Sequence, residues 1–479
     1  MRAHLLVPLL AAVAALAPAA SAHAQVPPIK HVFIVVLENK AFDESFGPES
    51  KATYLSRDLT RQGQLLTQYH GTSHLSLGNY LTMVSGQASN PETQADCPRY
   101  RDIVPGVVGM DGQVIGQGCI FPKAAETIGD QLEARGMTWR QYAEDMNATP
   151  GAPQTCRHPA INQSDDTQQA RAKDQYATRH VPFVYFHSVI DEPTCDQLVV
   201  PLDRLSADLE SAERTPNYVF ITPDLCSDAH DEPCVDGRPG GLVSADDFLK
   251  EWVPRITRSP AYLNDGLLIV TYDESETDGE NSTACCDEPT GPNTPQPGIF
   301  GPGGGRTGTL LLSPFIRGGT ANDTPYNHYS MLRSVEDIFG LPYLGYAGRE
   351  GLKAFGDDVY HGAPPTVDTP PLPPPKPKPQ PPRAVTVSVG RRTVPGCRSE
   401  RARRGRLIAK VVTHGRELVV LPRVRGRLTI RAGSKSLVSR RRVRACHAYG
   451  IMIPRTAARR VTVQVRSGRL TQRRVARRR

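Results

Sequence analysis

Apolar residues in this chain gather into short, nearly unbroken runs, separated by segments in which they recur at helical spacing. His31–Leu37 and residues 182–187, 217–223, 267–273 and 309–313 read as strands buried on both faces, because a strand with one wet face would alternate. Residues 79–85, 127–135, 202–212, 245–257 and 329–339 read as helices between them. Strand and helix in turn predict an α/β fold, a doubly wound parallel sheet with helices on both faces. Ligands bind beyond the carboxyl ends of strands in such sheets, and Glu38, Asp224 and Asp273 all fall at or just past such ends.

The pattern changes at both ends of the chain. Arg2 and His4 precede an apolar run over 5–20 that closes on Ala22-His23-Ala24, the layout of a secretory signal. No later run is long and apolar enough to span a bilayer, so the expected mature protein starts near Gln25 and is secreted or held at the cell envelope. Residues 364–383 read PPTVDTPPLPPPKPKPQPPR, an extended polyproline spacer. Past it, apolar and basic residues alternate in short runs at 384–389, 406–412, 417–424, 427–430, 442–453 and 460–465, which predicts a small antiparallel β domain. The expected organisation is therefore a signal (1–24), a large domain (25–363), a linker (364–383) and a β-rich C-terminal domain (384–479).

Charge separates these parts further. The net charge of +8 hides a C-terminal segment, 384–479, with 28 Lys and Arg against two acids; the rest of the chain is net acidic by 18. A segment so basic implies a polyanionic partner, such as an anionic envelope polymer or lipid surface. With only His447 and Tyr449 near Cys446, no aromatic platform for specific nucleic-acid recognition is evident. Ten cysteines suit an oxidising compartment, and no Cys-x-x-Cys spacing suggests a zinc-thiolate site. Cys97–Cys119 and Cys226–Cys234 are plausible local bridges, and Cys397 and Cys446 are natural partners as the two cysteines past the linker.

Candidate chemistry falls at the strand ends. Glu38-Asn39 closes the first strand and Asp273-Glu274 closes LLIVTY, giving two pairs of hard oxygen donors for a divalent cation. Adjacent residues can share one ion only where the strand has ended. The commonplace alternatives are a helix cap by Asn39 and a solvated Glu274. Ser76, in HLSLGNY between a strand-like and a helix-like segment, is the candidate nucleophile, since a metal or base can activate an otherwise weak hydroxyl. His180, His230 and His328 stand at predicted element edges, where imidazoles can bind phosphate oxygens or protonate a leaving group. The Gly- and Pro-rich stretch 277–307 reads as a long excursion over the site.

ENKAFDESFG, SHLSLGNYLTMVSG, RHVPFVYF, TPDLCSDAHD, TYDE and NHYSMLRSVEDIFGLP, spread over 31–342, resemble in sequence and order the phosphoesterase family of bacterial acid phosphatases and phospholipases C. The resemblance implies an alkaline-phosphatase-like fold and hydrolysis of phosphate esters through a phosphoseryl intermediate on Ser76. It further implies a cation held by Glu38, Asn39, Ser76, Asp273 and Glu274, with His180, His230 and His328 around the phosphate and Asn79 as a phosphate contact. Oxygen ligands favour Mg, Ca or Mn, while histidine participation would admit zinc or iron. Leu75 and Gly78 occupy positions that are often proline in the family, leaving the loop around Ser76 less constrained, and no histidine follows Glu274 in SETDGENSTACCDEP. The leading expectation is a secreted metal-dependent phosphomonoesterase, with phosphoinositide monophosphates among its possible substrates. Alternatives are a phospholipase C acting on diesters and a non-catalytic cell-surface binding protein.

Overall fold

A computed structural model of the protein describes residues 26–275 and 281–361, with the strands between 387 and 477. The predicted signal, the proline-rich spacer, Cys397 and Cys446 lie outside the described residues. The chain divides into two compact units, Met1–Val367 and Asp368–Arg479.

The first unit is built on an eight-stranded sheet. In chain order its strands are β1 (His31–Leu37), β2 (Gln64–Leu66), β3 (Trp139–Ala143), β4 (Val199–Pro201), β5 (Tyr218–Thr222), β6 (Gly266–Tyr272), β7 (Thr309–Leu312) and β8 (Thr320–Asn322). Their spatial order is β8-β2-β7-β6-β1-β5-β3-β4. β1 is central, with Ile34 level with Phe220 on one parallel neighbour and Ile269 on the other. Every residue of β1 is buried. Val32, Ile34 and Val36 enter one core, whereas Phe33, Val35 and Leu37 enter the other. The continuous apolar run thus records helices on both faces. α1 (Ser76–Ser85), α2 (Ile128–Ala134) and α4 (His328–Phe339) pack into the first core, and α3 (Gly241–Thr257) packs into the second.

Several sequence expectations change. Residues 182–187 form a 3-10 turn, Pro182–Tyr185, followed by the short helix His187–Ile190, and are not a strand. Proline presets the first turn, and an apolar run buried on all sides has no periodicity to distinguish strand from helix. Residues 202–212 hold only a 3-10 turn and a four-residue helix, Leu205–Asp208. β7 runs antiparallel to β6 and to β2, so the sheet is mixed rather than wholly parallel. β3, reading WRQYA, carried too much polarity to stand out, yet its Gln141 is buried and donates to the His180 carbonyl at 3.1 Å.

Disulfides join Cys97 to Cys119 and Cys226 to Cys234, as the spacing suggested, and also Cys156 to Cys195 and Cys285 to Cys286.

The second unit contains β9 (Val387–Val389), β10 (Ile408–His414), β11 (Glu417–Pro422), β12 (Gly426–Ala432), β13 (Lys435–Val443), β14 (Tyr449–Met452), β15 (Arg460–Ser467) and β16 (Leu470–Arg477). They form two four-stranded antiparallel sheets, β9-β14-β11-β10 and β13-β12-β15-β16. The run expected at 442–453 is divided between β13 and β14, one in each sheet.

Candidate active site

β1 and β6 are neighbours, so Glu38-Asn39 and Asp273-Glu274 leave the sheet side by side. Asn39 takes a left-handed conformation, φ 44°, which an asparagine tolerates better than most residues. It does not cap the following helix, whose N-cap is Ala41. Instead its backbone N–H donates to Asp273 Oδ1 and its side-chain amide donates to Glu274 Oε1, both at 3.1 Å. That leaves the Asn39 Oδ1 buried without a hydrogen-bond partner. β6 ends at Tyr272, so Asp273 and Glu274 are released from strand alternation. Glu274 Oε2 lies against His74 Nδ1, so both its oxygens already face protein groups.

Ser76 is the first residue of α1, and its Oγ donates to Glu38 Oε2 at 2.7 Å. One helical turn on, Tyr80 donates its hydroxyl to Glu38 Oε1. A single helix face therefore holds both oxygens of one carboxylate, through positions i and i+4. The Tyr80 ring also stacks on His180, 5.2 Å between centroids and 9° between planes. His180 stands between two acids, its Nε2 3.4 Å from Glu38 Oε1 and its Nδ1 3.7 Å from Asp228 Oδ2.

The loop before Ser76 is held tightly despite its missing prolines. Asn79 Oδ1 accepts from the Thr72 and Ser73 amides at 2.8 and 2.9 Å, and its Nδ2 donates to the Ser73 carbonyl at 2.9 Å. Asn79 is thus spent on the loop, where the resemblance had suggested a phosphate contact. Gly78 is required because a Cβ there would come within 2.3 Å of Ser89 Oγ and 2.6 Å of Ser73 Oγ. The excursion closes on the same loop: the Pro297 carbonyl accepts from the His74 amide and from Ser73 Oγ, both at 3.1 Å. On the far side Asp96 accepts from the Leu77 amide at 2.9 Å and faces Arg179 Nε at 3.5 Å. The Cys97–Cys119 bridge staples that segment directly after Asp96.

Electrostatics distinguish the three histidines. His328 is locked, with Nε2 on the Asp273 carbonyl at 2.5 Å and Nδ1 3.0 Å from the Tyr69 hydroxyl, and burial pushes its pKa down to about 4. It holds Asp273 in place as a neutral ring. Burial, with the nearby charges of Arg179 and His230, likewise holds His180 well below the usual imidazole range. His230 is exposed, and a hydrogen bond to Asp231, 2.8 Å away, raises its pKa, assisted by Asp228 and Glu38. Of the three it is the exposed ring and the one that keeps its proton to higher pH. Asp224 does not join the site: it accepts from the Cys226 and Ser227 amides and pairs with Arg238 at 3.0 Å.

Burial pushes Glu38 and Asp228 well above the usual carboxylate range and takes Asp273 up to about 8. Asp228 Oδ2 and Asp273 Oδ2 are buried with no hydrogen-bond partner, as is Asn39 Oδ1. Buried acid oxygens without donors are costly unless they are protonated or neutralised by a cation. The donor set of Glu38, Asn39, Ser76 and Asp273 therefore fits a hard divalent ion. Sequence reasoning passed over Asp228, Arg179, His74, Asp96 and Tyr80. Tyr80 was within reach, because its i+4 spacing from Ser76 places it on the same helix face; Asp228 stood two residues from the histidine that drew attention.

Residues 48–342 match the Phosphoesterase family. The chain belongs to that family. Phosphoesterase relatives similar to it include a probable acid phosphatase of Kluyveromyces lactis, 28% identical over 66% of this chain and 59% of its own length. A phosphatidylinositol-3-phosphatase of Mycobacterium tuberculosis is 26% identical over 67% of this chain and 80% of its own length. The chain spans little more than half the length of the fungal relatives, 55% for an acid phosphatase of Aspergillus fumigatus. Among solved structures, an alkaline phosphatase superfamily protein from Vibrio parahaemolyticus aligns at TM-score 0.41 and 11% identity, covering 95% of this chain and 84% of its own.

Proposed function

We propose that the chain is an exported, metal-dependent phosphomonoesterase in which Ser76 is the nucleophile. The observation that carries this reading is the Ser76 hydroxyl donating at 2.7 Å to Glu38, inside a nest of buried acid oxygens. A divalent ion held by Glu38, Asn39, Ser76 and Asp273, with Glu274 beside them, would lower the cost of the serine alkoxide and screen the phosphoryl charge. Ser76 Oγ passes its proton to Glu38 Oε2 and forms a bond to phosphorus as the ester oxygen–phosphorus bond breaks, leaving a phosphoserine and a released alcohol. His230 donates the proton that the departing oxygen takes. Water then gives a proton to His230 and attacks phosphorus, the Ser76 Oγ–phosphorus bond breaks as Oγ takes its proton back from Glu38, and inorganic phosphate leaves. His328 and Asn79 act by position: the first holds Asp273, the second the nucleophile loop.

Monoester preference is supported by the relatives' names, acid phosphatases and a phosphatidylinositol-3-phosphatase, which make phosphoinositide monophosphates a substrate class to test. Export is supported by the signal-like first 24 residues and the four disulfides; among the described residues no helix is long and apolar enough to cross a membrane. The basic C-terminal segment would then hold the enzyme at an anionic envelope surface. The test is hydrolysis of p-nitrophenyl phosphate, phosphatidylinositol 3-phosphate and phosphatidylcholine, each with Mg, Ca, Mn or Zn added to chelated protein. Metal-restored monoester cleavage is expected; cleavage of the diester alone would assign the chain to phospholipase C chemistry.

A further inference from the structure

Basic charge in the second unit is concentrated in one of its two sheets. β12, β13, β15 and β16 together hold 32 residues, of which eleven are basic and none is acidic. The other sheet contains Lys410, His414, Glu417 and Tyr449 as its charged or titratable residues. Leu428, Ile430, Val461, Val463 and Val465 are buried, which defines the inner face of the basic sheet. The alternate positions Arg427, Arg431, Arg466 and Arg473 are exposed on the outer face. Register adds a row across the strands: Arg442 of β13 stands opposite Arg427 of β12, which stands opposite Arg466 of β15.

Like charges placed directly opposite one another destabilise a sheet, by roughly 0.2–1 kcal/mol per pair. Arg427 and Arg466, in register at the strand spacing of about 4.8 Å, are thus unfavourable in the isolated protein and favourable against a string of anions. Ten of the eleven basic residues are arginine, whose planar fork grips phosphate in a bidentate way that lysine cannot reproduce. None of the four strands contains Phe, Tyr or Trp, so bases have no stacking platform. Among the described residues of these strands Val475 is the exposed large apolar one, which gives little to insert into a bilayer.

We propose that the outer face of the β13-β12-β15-β16 sheet docks a linear phosphate-linked polymer lacking bases, laid across the strands along the Arg427–Arg466 row. This refines the envelope-anchoring reading and is independent of the catalytic one. The test uses the full chain and fluorescent long-chain inorganic polyphosphate, followed by anisotropy across a salt series. Binding should weaken steeply with salt. Arg427→Gln with Arg466→Gln should weaken it at least tenfold, whereas Lys410→Gln on the other sheet should leave it unchanged. Melting of the double variant at or above the parent temperature would show that it folds. The Ser76→Ala chain should bind polyphosphate as the parent does, which separates polymer docking from the catalytic cleft. Unchanged binding by the double variant would overturn the proposal. So would equal affinity for single-stranded DNA or for phosphatidylglycerol vesicles, which would assign the face to nucleic acid or to lipid.

Discussion

The two units handle charge in opposite ways. In the first, Glu38, Asp228, Asp273 and Glu274 are drawn inside the protein, where their carboxylates crowd one another. In the second, Arg427, Arg431, Arg466 and Arg473 stand in water on a sheet face. Burial makes a few acids expensive and therefore chemically specific, whereas exposure leaves many arginines individually cheap and useful only in number. A single substitution should therefore be severe in the first unit and mild in the second, apart from what it does to polymer binding.

The largest expected effect is on turnover. Ser76→Ala should lower kcat for p-nitrophenyl phosphate by at least about 10³-fold, because the other hydroxyl on Glu38 is the Tyr80 phenol, which lies one helical turn away and leaves no serine oxygen to attack phosphorus. Steady-state kinetics at saturating substrate measure it.

Chelation should come next. Removing the proposed cation would leave the oxygens of Asn39 and Asp273 buried without partners, so the first unit should lose several kcal/mol of stability as well as its activity. Thermal melts with and without EDTA report this, and unchanged melts would break the contrast between the units.

Opening the Cys97–Cys119 bridge by paired serine substitution should cost about 3 kcal/mol and loosen Asp96 from the Leu77 amide. Urea unfolding gives the first, and a raised KM the second.

Sequence legibility divides along the same line. β1 and β6, and the position of Glu38-Asn39 and Asp273-Glu274 just past them, were readable because a buried strand is continuous and its end is where polar residues begin. The Pro182–Tyr185 turn was not, since burial on every side removes the periodicity that separates strand from helix. Roles within the site were legible only in part. Asn79 and His328 carry the right chemistry for phosphate contact, yet their atoms are committed to the nucleophile loop and to Asp273, and that is decided by three-dimensional neighbours. In the second unit the excess of arginine was plain, but that the strand-borne part of it falls on one sheet depended on strand pairing that composition does not encode.

A smaller effect concerns His230. Its raised pKa keeps the ring protonated to higher pH than a free imidazole, so activity should fall as pH rises through that value. His230→Asn should lower kcat by about 10²-fold and remove that alkaline limb, as a pH–rate profile would show.

The smallest for activity involves a buried acid outside the site. Burial pushes Glu336 up to about 9, above its unfolded value, with Oε1 accepting from the Leu344 amide at 2.8 Å. The folded chain therefore keeps a proton that the unfolded chain gives up, and stability falls as pH rises from the unfolded pKa of about 4.3 towards 9. Glu336→Gln should remove that dependence, adding on the order of several kcal/mol near pH 8 and nothing at pH 4. A gain of equal size at both pH values would show that the carboxyl is not held neutral.

The most direct test of the central claim is a trapping measurement on the active enzyme. Protein turning over a phosphate monoester is quenched in acid, digested and mapped by mass spectrometry. One phosphoryl group on the peptide containing Ser76, absent from the Ser76→Ala chain, is the predicted result. Continued turnover with no trapped phosphoserine, or a phosphoryl group on a different residue, would contradict the account.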